Sequence, residues 1–255
     1  MNDFDSRKRF SNRVDDYVRY RPGYPPALLE WVHGELGADV PAHVADIGAG
    51  TGISSKMFLE AGHEVFAVEP NAEMRAAAEQ WLAGYPRFHT VNATAETTSL
   101  ADASVQLVSA AQSFHWFNQD AVRREWGRIL APAGLALIYW NTPRFDTSPF
   151  LQEYEQLLHD HGNNYRDVAE RHPDDAHMRN WFGSGFVDMI ELPNSQRLDY
   201  PGLQGRLLSS SYAPRPGMPG YEQMLEALQA LFQRHATDGH VDFPYRTRAF
   251  AGTLN

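Results

Sequence analysis

Short apolar runs alternate with segments of helical periodicity between residues 25 and 141. Five runs rich in valine, isoleucine and aromatic residues predict strands at 43–48, 64–70, 88–94, 105–111 and 135–141. Because these runs are apolar along their whole length, they favour a parallel sheet with both faces covered. Helical spacing of apolar residues predicts helices over 72–83 and 119–130, and Pro25-Pro26 opens another that runs towards Gly37. The alternation predicts an α/β fold with an open, doubly wound sheet.

The pattern changes after Asn141. Residues 142–182 are polar with helical tendency, and the segments after them predict a strand at 195–200, a short helix at 202–211 and a loop at 212–220. An amphipathic helix follows from Tyr221, and 240–254 is predicted to close the sheet as an edge strand. Without repeats or a clear linker, we expect one domain over 1–255, with an N-terminal part (1–40), a core (41–141) and a cap with the sheet-closing region (142–255).

Composition narrows the classes of partner. The 255 residues carry a net charge of −10, which disfavours nucleic acid and anionic membranes as partners. The absence of cysteine excludes disulfides and thiolate metal sites. No apolar run approaches the roughly 20 residues that span a bilayer, and the N-terminus lacks the apolar stretch of a secretion signal. We therefore expect a cytoplasmic protein that binds a small molecule, with no nucleic-acid or membrane partner and no metal.

A glycine-rich segment, DIGAGTG (46–52), follows the first predicted strand and precedes a predicted helix. Glycines let a backbone approach a ligand closely, and the helix start beyond them leaves N–H groups free. The dinucleotide fingerprint G-x-G-x-x-G fails because Ile53 stands at its sixth position, and the phosphate-loop pattern is also absent. The spacing Asp46, Gly48, Gly50, Gly52 instead favours S-adenosylmethionine, which has no phosphate to bind.

The second predicted strand ends in an acid, Glu69, which lies 23 residues after Asp46. A carboxylate at the end of that strand can accept hydrogen bonds from both ribose hydroxyls of a nucleoside. The alternative is an ordinary surface acid at a strand end. The glycine segment and Glu69 have the order and spacing of a nucleoside site, which favours the binding role.

These motifs resemble those of the class I S-adenosylmethionine-dependent methyltransferases. Within that class the chain is similar to the type 11 small-molecule branch, which includes trans-aconitate methyltransferase-like proteins. The resemblance covers roughly residues 10–142, and its opening segment, 10–32, looks like the lid that precedes the core in this branch. It implies a mostly parallel, seven-stranded, Rossmann-like sheet with an N-terminal helical lid and an inserted cap. The segments that carry it are DIGAGTG (46–52), AVEPNAEM (67–74), NATAETTSL (92–100), SAAQSFHWF (109–117) and RILAPAGLALIYWN (128–141).

The resemblance also implies roles for particular residues. Gly48 and its neighbours would lie against the methionine part of the cofactor, and Glu69 would hold the ribose. Asn71 and Met74 would flank the adenine, and Ala95 and Glu96 would lie at its edge. The remaining cofactor contacts implied are Gln112 beside the methionine part and the lid residues Tyr17, Tyr20 and Arg21, with Arg21 as the partner of the cofactor carboxylate.

The segment SFHWF (113–117) follows the fourth predicted strand, where ligands of open α/β sheets bind. Phe114, Trp116 or Phe117 would wall the pocket, since an aromatic face favours a positively charged sulfonium. His115 is the first candidate for a general base if the acceptor is a hydroxyl or an amine, whereas a carboxylate acceptor needs no base. The alternative for His115 is a hydrogen bond to a neighbouring loop. Further expected substrate contacts are Trp140, Asn141 and Arg144.

The predicted cap offers hydroxyls and guanidinium groups for the acceptor. Its candidates are Arg206, Ser209, Ser210, Tyr212 and Arg215. The histidines His159, His161, His172 and His177 lack the spacing of metal ligands, and we interpret them as surface residues.

The predicted function is methyl transfer from S-adenosylmethionine to a small molecule, with oxygen of a carboxylate or hydroxyl as the expected acceptor atom. The alternatives are an NAD-dependent oxidoreductase, against which Ile53 argues, and a non-catalytic S-adenosylmethionine-binding protein.

Overall fold

The structure is a computed structural model that describes residues 20–38, 40, 42–163, 165 and 173–254, and in them a seven-stranded sheet orders the fold. The strand order is β3-β2-β1-β4-β5-β7-β6, and β7 runs antiparallel to both of its neighbours. This arrangement confirms the predicted mostly parallel, doubly wound α/β fold. The strands are β1 (His43–Ile47), β2 (Glu64–Val68), β3 (Phe88–Val91), β4 (Val105–Ala111), β5 (Leu130–Pro143), β6 (Phe186–Leu198) and β7 (Val241–Gly252).

Helices cover both faces of this sheet. Side-chain caps start several of them, as Asn118 does where its Oδ1 accepts from Ala121 N at 3.1 Å. Helix α1 continues directly into a π-helical segment, Trp31–Glu35. The helices are α1 (Ala27–Glu30), α2 (Ile53–Glu60), α3 (Ala72–Trp81), α4 (Gln119–Ile129), α5 (Pro149–His161), α6 (Asp175–Phe182), α7 (Tyr200–Leu208) and α8 (Tyr221–His235).

Two predictions for the C-terminal third were wrong. The strand expected at 195–200 is the end of the longer strand β6, which begins at Phe186 and lies at the sheet edge. The last strand, β7, does not lie at the edge but pairs with β5 and β6 on its two sides. Strand β6 shows no continuous apolar run because most of its side chains are exposed or half-buried.

The core has three apolar clusters, two on the sheet and one in the cap. The cap cluster joins α5, α7 and α8 to the start of β7, with Leu158, Leu203 and Leu228 fully buried within it. The cap therefore packs onto the sheet at β7, beside the carboxyl end of β5. In the part of the chain that the structure describes, no helix is long and apolar enough to cross a membrane.

Candidate functional site

The glycine-rich segment forms a tight loop between β1 and α2. The φ angles of Gly48, Gly50 and Gly52 are +66°, +57° and +86°, which is the left-handed region that favours glycine. The N–H of Gly48 donates to the carbonyl of Val68 at 2.8 Å, which ties the loop to the end of β2. A Cβ atom added at Gly48 would lie 2.8 Å from the Cβ of Ser113, so the loop and the end of β4 approach too closely for a side chain.

Asp46 supports this loop from below. Its side chain is fully buried, and its Oδ2 accepts hydrogen bonds from the hydroxyls of Ser54 and Ser55, each at 2.6 Å. Burial raises the pKa of Asp46, and these hydroxyl bonds oppose the rise. The structure thus places Asp46 beneath the loop, where it holds the first turn of α2, and not along the cavity described below.

Glu69 points back towards the loop from the end of β2. Its Oε2 accepts from the N–H of Gly50 at 3.0 Å, and its Oε1 accepts from the N–H of Asn71 at 2.8 Å. Burial raises the pKa of Glu69, while the two N–H bonds and the charge of Arg75 lower it. A carboxylate has about four acceptor positions, so each oxygen keeps one for a ligand hydroxyl.

The predicted adenine contacts lie around Glu69. Asn71 caps α3, with its Oδ1 accepting from Met74 N at 3.1 Å, and the Met74 sulfur lies 3.9 Å from a Cβ built on Gly50. Ala95 is buried in the loop after β3, and the Oε1 of Glu96 accepts from the N–H of Asn118 at 3.1 Å. The fold therefore brings the strand-end residues of β2 and β3 to the same edge as the glycine loop.

A cavity of about 60 Å³ lies where β1, β4 and β5 end, closed on one side by residues 21–24. It is smaller than the roughly 300–1,000 Å³ of typical small-molecule pockets. Helices α2 and α7, strands β4, β5 and β7, the glycine loop and residues 21–24 all contribute to its walls. The lining residues are Arg21, Pro22, Tyr24, Gly48, Ala49, Gly50, Ile53, Ser54, Ala111, Gln112, Asn141, Arg206 and Tyr245.

Gln112 and Asn141 connect the sheet to the covering segment. Gln112 has a φ of +59°, which is uncommon for a residue with a side chain, and its Nε2 donates to the carbonyl of Asn141 at 3.2 Å. The Nδ2 of Asn141 donates to the carbonyl of Gly23 at 3.0 Å, and Asn194 makes the same contact at 2.8 Å. These bonds hold residues 21–24 over the carboxyl ends of β4 and β5.

The predicted lid contacts are partly described. The carbonyl of Tyr20 accepts from Gln196 at 3.0 Å, and its ring lies against Gly205 of α7, where a Cβ atom would have no room. Arg21 lines the cavity and donates to the carbonyl of Ser209 at 3.0 Å. Tyr17 lies outside the described residues, as do residues 1–19 of the expected lid and His172.

In the aromatic segment after β4, Phe114 lies in the core, whereas His115, Trp116 and Phe117 are half-buried. Phe114 is fully buried and its ring packs against Trp126, Trp140 and Trp181 at centroid distances of 6.0, 6.3 and 4.8 Å. Trp140 is also buried, and its indole N–H donates to the Nδ1 of His115 at 3.4 Å. The His115 ring lies 4.7 Å from that of Trp116. None of these four side chains is among those that line the cavity in the described part of the chain.

Arg144 lies in a different depression. Its Nε makes an ion pair with Asp146 at 3.3 Å, and the other charged residues that line this depression are Glu191 and Arg246. The structure therefore does not bring Arg144 to the cavity at the glycine loop.

Sequence reasoning missed the cavity residue Tyr245 and its partner Gln196. Tyr245 lies in β7 and Gln196 in β6, and no short motif connects either with the glycine loop. Their hydroxyl and amide oxygen are 2.7 Å apart. Only the antiparallel pairing of these late strands places them beside the cavity.

Comparison with known proteins identifies the domain. Residues 45–138 match a family model described as a methyltransferase domain (Methyltransf_11). Residues 45–138, from β1 into β5, are thus similar to a methyltransferase domain. The cofactor of this domain is S-adenosylmethionine, and the dehydrogenase alternative is not supported because the matched family and the relatives are methyltransferases.

The curated relatives match part of the chain. An uncharacterized methyltransferase of Mycobacterium tuberculosis is 34% identical over 161 residues, which cover 62% of each chain. One from Schizosaccharomyces pombe is 30% identical over 152 residues, 59% of each chain. The chain thus spans about six-tenths of the length of these relatives.

Solved structures share the fold over most of the chain. A structure from Anaeromyxobacter dehalogenans, described as a type II methyltransferase, has a TM-score of 0.66 at 24% identity and covers 92% of this chain and 98% of its own. The geranyl diphosphate C-methyltransferase of Streptomyces coelicolor, which was solved with S-adenosyl-L-homocysteine, has a TM-score of 0.50 at 15% identity and covers 90% and 76%. At these identities the likeness shows the fold alone.

The methyltransferase domain has the chemical groups that the cofactor requires. The backbone of Gly48 lines the cavity, a Cβ at this position would clash with Ser113, and Glu69 keeps acceptor positions for two ribose hydroxyls. Among the described residues no cluster of three or more histidine, aspartate or glutamate side chains could hold a metal ion.

Proposed function

We propose that the chain transfers a methyl group from S-adenosylmethionine to an oxygen atom of a small-molecule acceptor. The observation that carries this proposal is the convergence of the glycine loop, Glu69 and Gln112 on one edge of the sheet beside a closed cavity. When bound, the cofactor supplies a sulfonium-activated methyl group. The finer assignment to the trans-aconitate methyltransferase-like branch remains a prediction that rests on the sequence resemblance.

The glycine loop, the neighbouring acid and the covering segment each have a role in this proposal. Glu69 accepts the ribose hydroxyls, and the backbone of Gly48 and Gly50 lies against the methionine part. Gln112, held in its strained conformation by Tyr139 and Asn141, borders the reacting groups. Residues 21–24 exclude water by closing the cavity, which strengthens the remaining electrostatic contacts.

His115 is better placed to support the pocket than to take a proton. Its Nδ1 accepts the indole N–H of Trp140, so the neutral ring carries its own proton on Nε2. The basic nitrogen is therefore occupied by a core residue. This arrangement favours an acceptor that is already anionic, because a carboxylate oxygen attacks a methyl group without losing a proton.

Calorimetric titration with S-adenosylhomocysteine tests the proposed cofactor site. We expect micromolar binding to the wild type and about 100-fold weaker binding to Glu69→Gln, since two hydrogen bonds to a charged acceptor are weakened. Glu73→Gln is the matched control because this exposed acid lies on the neighbouring helix α3 away from the cavity. NAD is titrated in parallel and should not bind.

Two results would contradict the proposal. If S-adenosylhomocysteine does not bind, or if its affinity is equal in the Glu69 and Glu73 variants, the assignment of the cofactor site is wrong. In the second result, the protein binds S-adenosylhomocysteine but forms none from S-adenosylmethionine when it is incubated with a panel of small acids and alcohols. That result would favour the non-catalytic alternative.

A further inference from the structure

A half-buried arginine lies beside the acid at the end of β2. Arg75 is the fourth residue of α3, and its Nη1 donates to the main-chain carbonyl of Glu69 at 2.8 Å. Its positive charge also acts on the Glu69 side chain, whose pKa it lowers. Arg75 therefore holds the backbone of the same residue whose carboxylate faces the glycine loop.

Helix α3 alone does not explain an arginine at this position. The N-terminus of a helix carries a partial positive charge, so a cation in the first turn is disfavoured there. Arg75 makes no ion pair with an acid in the part of the chain that the structure describes. Among the same residues, the hydrogen-bond partner of its side chain is the Glu69 carbonyl. Its charge is therefore directed at the end of β2.

The proposed task of Glu69 requires a charged carboxylate. A carboxylate accepts from both ribose hydroxyls, whereas the protonated acid turns one oxygen into a donor. Each oxygen of Glu69 already accepts one N–H bond, from Gly50 or from Asn71. A proton on either oxygen would compete with these bonds and with the ribose.

Burial and a second acid work against ionisation of Glu69. Burial is the largest cause that raises its pKa, and the charge of Asp46, buried beneath the loop, also raises it. The other acids at this edge of the sheet are Glu73 of α3 and Glu96 in the loop after β3. Among the described residues, Arg75 is the cation whose charge lowers the pKa of Glu69.

We propose that Arg75 is a positioning residue for the cofactor, whose guanidinium holds the end of β2 and keeps Glu69 in the ionised form that accepts the ribose hydroxyls. This inference rests on the proposed function and adds a residue to its cofactor site. Arg75 acts through Glu69, since it is not among the described residues that line the cavity.

The pH dependence of S-adenosylhomocysteine binding, measured by calorimetry on the full chain at pH 6 and pH 8.5, tests the inference. Affinity is full above the pKa of Glu69 and falls as the pH is lowered through it, because binding needs the ionised form. Without the charge of Arg75 that pKa is higher, so the fall begins at a higher pH. We expect Arg75→Met to weaken binding about tenfold relative to the wild type at pH 6 and about twofold at pH 8.5.

Two further substitutions separate the charge of Arg75 from its hydrogen bond. Arg75→Gln keeps a donor for the Glu69 carbonyl without the charge, so it should behave like Arg75→Met. Arg75→Lys keeps the charge and should stay within about threefold of the wild type at both pH values. If Arg75→Gln instead binds like the wild type and Arg75→Lys like Arg75→Met, the charge is not what matters, and the proposal is overturned.

Arg87→Met is the matched control. Arg87 is exposed, and its Nη1 donates to the carbonyl of Gly62 at 2.6 Å, close to the opposite end of β2. Removing this arginine–carbonyl bond should leave the affinity for S-adenosylhomocysteine unchanged at both pH values. If Arg75→Met and Arg75→Gln have a Tm many degrees below that of Arg87→Met and bind equally weakly at both pH values, the role of Arg75 is structural and the proposal is overturned.

The Glu69→Gln background shows whether Arg75 acts through the carboxylate. The amide does not titrate in this range, so adding Arg75→Met to Glu69→Gln should change the affinity by no more than about twofold, and equally at both pH values. A tenfold loss in that background would show that Arg75 affects the cofactor by another route, which contradicts the proposal.

Failure of this inference is distinguishable from failure of the proposed function. If the wild type binds S-adenosylhomocysteine and all Arg75 variants bind it with the same affinity at both pH values, the inference is overturned and the cofactor site stands. If the wild type does not bind at either pH, the proposed function is overturned, and the inference with it.

Discussion

At the scale of single residues, Gly48 shows how the backbone shapes the site. Its φ of +66° and the 2.8 Å approach of Ser113 exclude any side chain at this position. Ser113 cannot easily withdraw, because its hydroxyl donates to the carbonyl of Ile47 at 2.9 Å. The same contacts that leave backbone exposed to the cavity therefore make the loop sensitive to substitution.

Gly48→Ala should lower the free energy of unfolding by about 2–4 kcal/mol, from positive-φ strain together with the steric clash. Gly62→Ala is the matched control, since Gly62 has a φ of +91° but no atom within 4 Å of an added Cβ. Strain alone should cost this control about 1 kcal/mol. Urea denaturation of both variants measures the difference, and equal losses would show that the contact with Ser113 is not restrictive.

Local motifs predicted part of the candidate site, whose residues the fold brings together and whose roles stay predictions. The glycine loop and Glu69 could be predicted because each lies in a short, continuous segment of the sequence with a recognisable spacing. Tyr245 could not, since its place beside Arg206 depends on strand pairing. The hydrogen bond at Nδ1 of His115 could not be predicted either, because its partner Trp140 comes from the neighbouring strand β5.

At the scale of elements, apolar periodicity located the parallel strands and helices but not β6. Parallel strands covered on both faces are apolar throughout, whereas β6 is an edge strand with many polar, exposed positions and a proline at 193. The place of β7 between β5 and β6 depends on contacts between segments far apart in sequence. These are the parts of the fold that the sequence pattern misassigned.

A histidine pair joins the π-helical segment after α1 to the loop before β2. The Nε2 atoms of His33 and His63 are 2.9 Å apart, and the Nδ1 of His63 accepts from the N–H of Ala42 at 3.1 Å. Burial lowers the pKa of His63 to about 4 and also lowers the pKa of His33. The pair is therefore neutral in the folded protein at neutral pH.

The free energy of unfolding should fall as the pH is lowered from about 6.5 to about 4. The unfolded chain protonates His63 near its ordinary pKa of about 6.5, while the folded chain resists protonation down to about 4, so acid favours unfolding between these values. Between pH 7 and pH 5 the His63 contribution is about 2 kcal/mol. Urea denaturation at both values should show a smaller pH dependence for His63→Asn, whose amide oxygen can replace Nδ1 as acceptor. An unchanged pH dependence would contradict the assignment.

At the scale of the whole molecule, an acidic chain surrounds a cavity whose only charged lining residues, among those described, are two arginines. The sheet supplies the cofactor loop, whereas the cap and residues 20–24 supply the cations and the cover. The net charge of −10 favours a small-molecule partner over a polyanion, and this stays a prediction. The net charge could not predict that the charged residues lining the cavity are positive, because Arg206 reaches the cavity only through the packing of α7 on β7.

The measurement that tests the central claim most directly is a crystal structure of the full chain with S-adenosylhomocysteine. The account predicts both ribose hydroxyls within hydrogen-bond distance of the Glu69 carboxylate, the methionine part along Gly48 and Gly50, and its carboxylate at Arg21. A nucleoside bound away from Glu69, or a cofactor carboxylate held by Arg206, would contradict it.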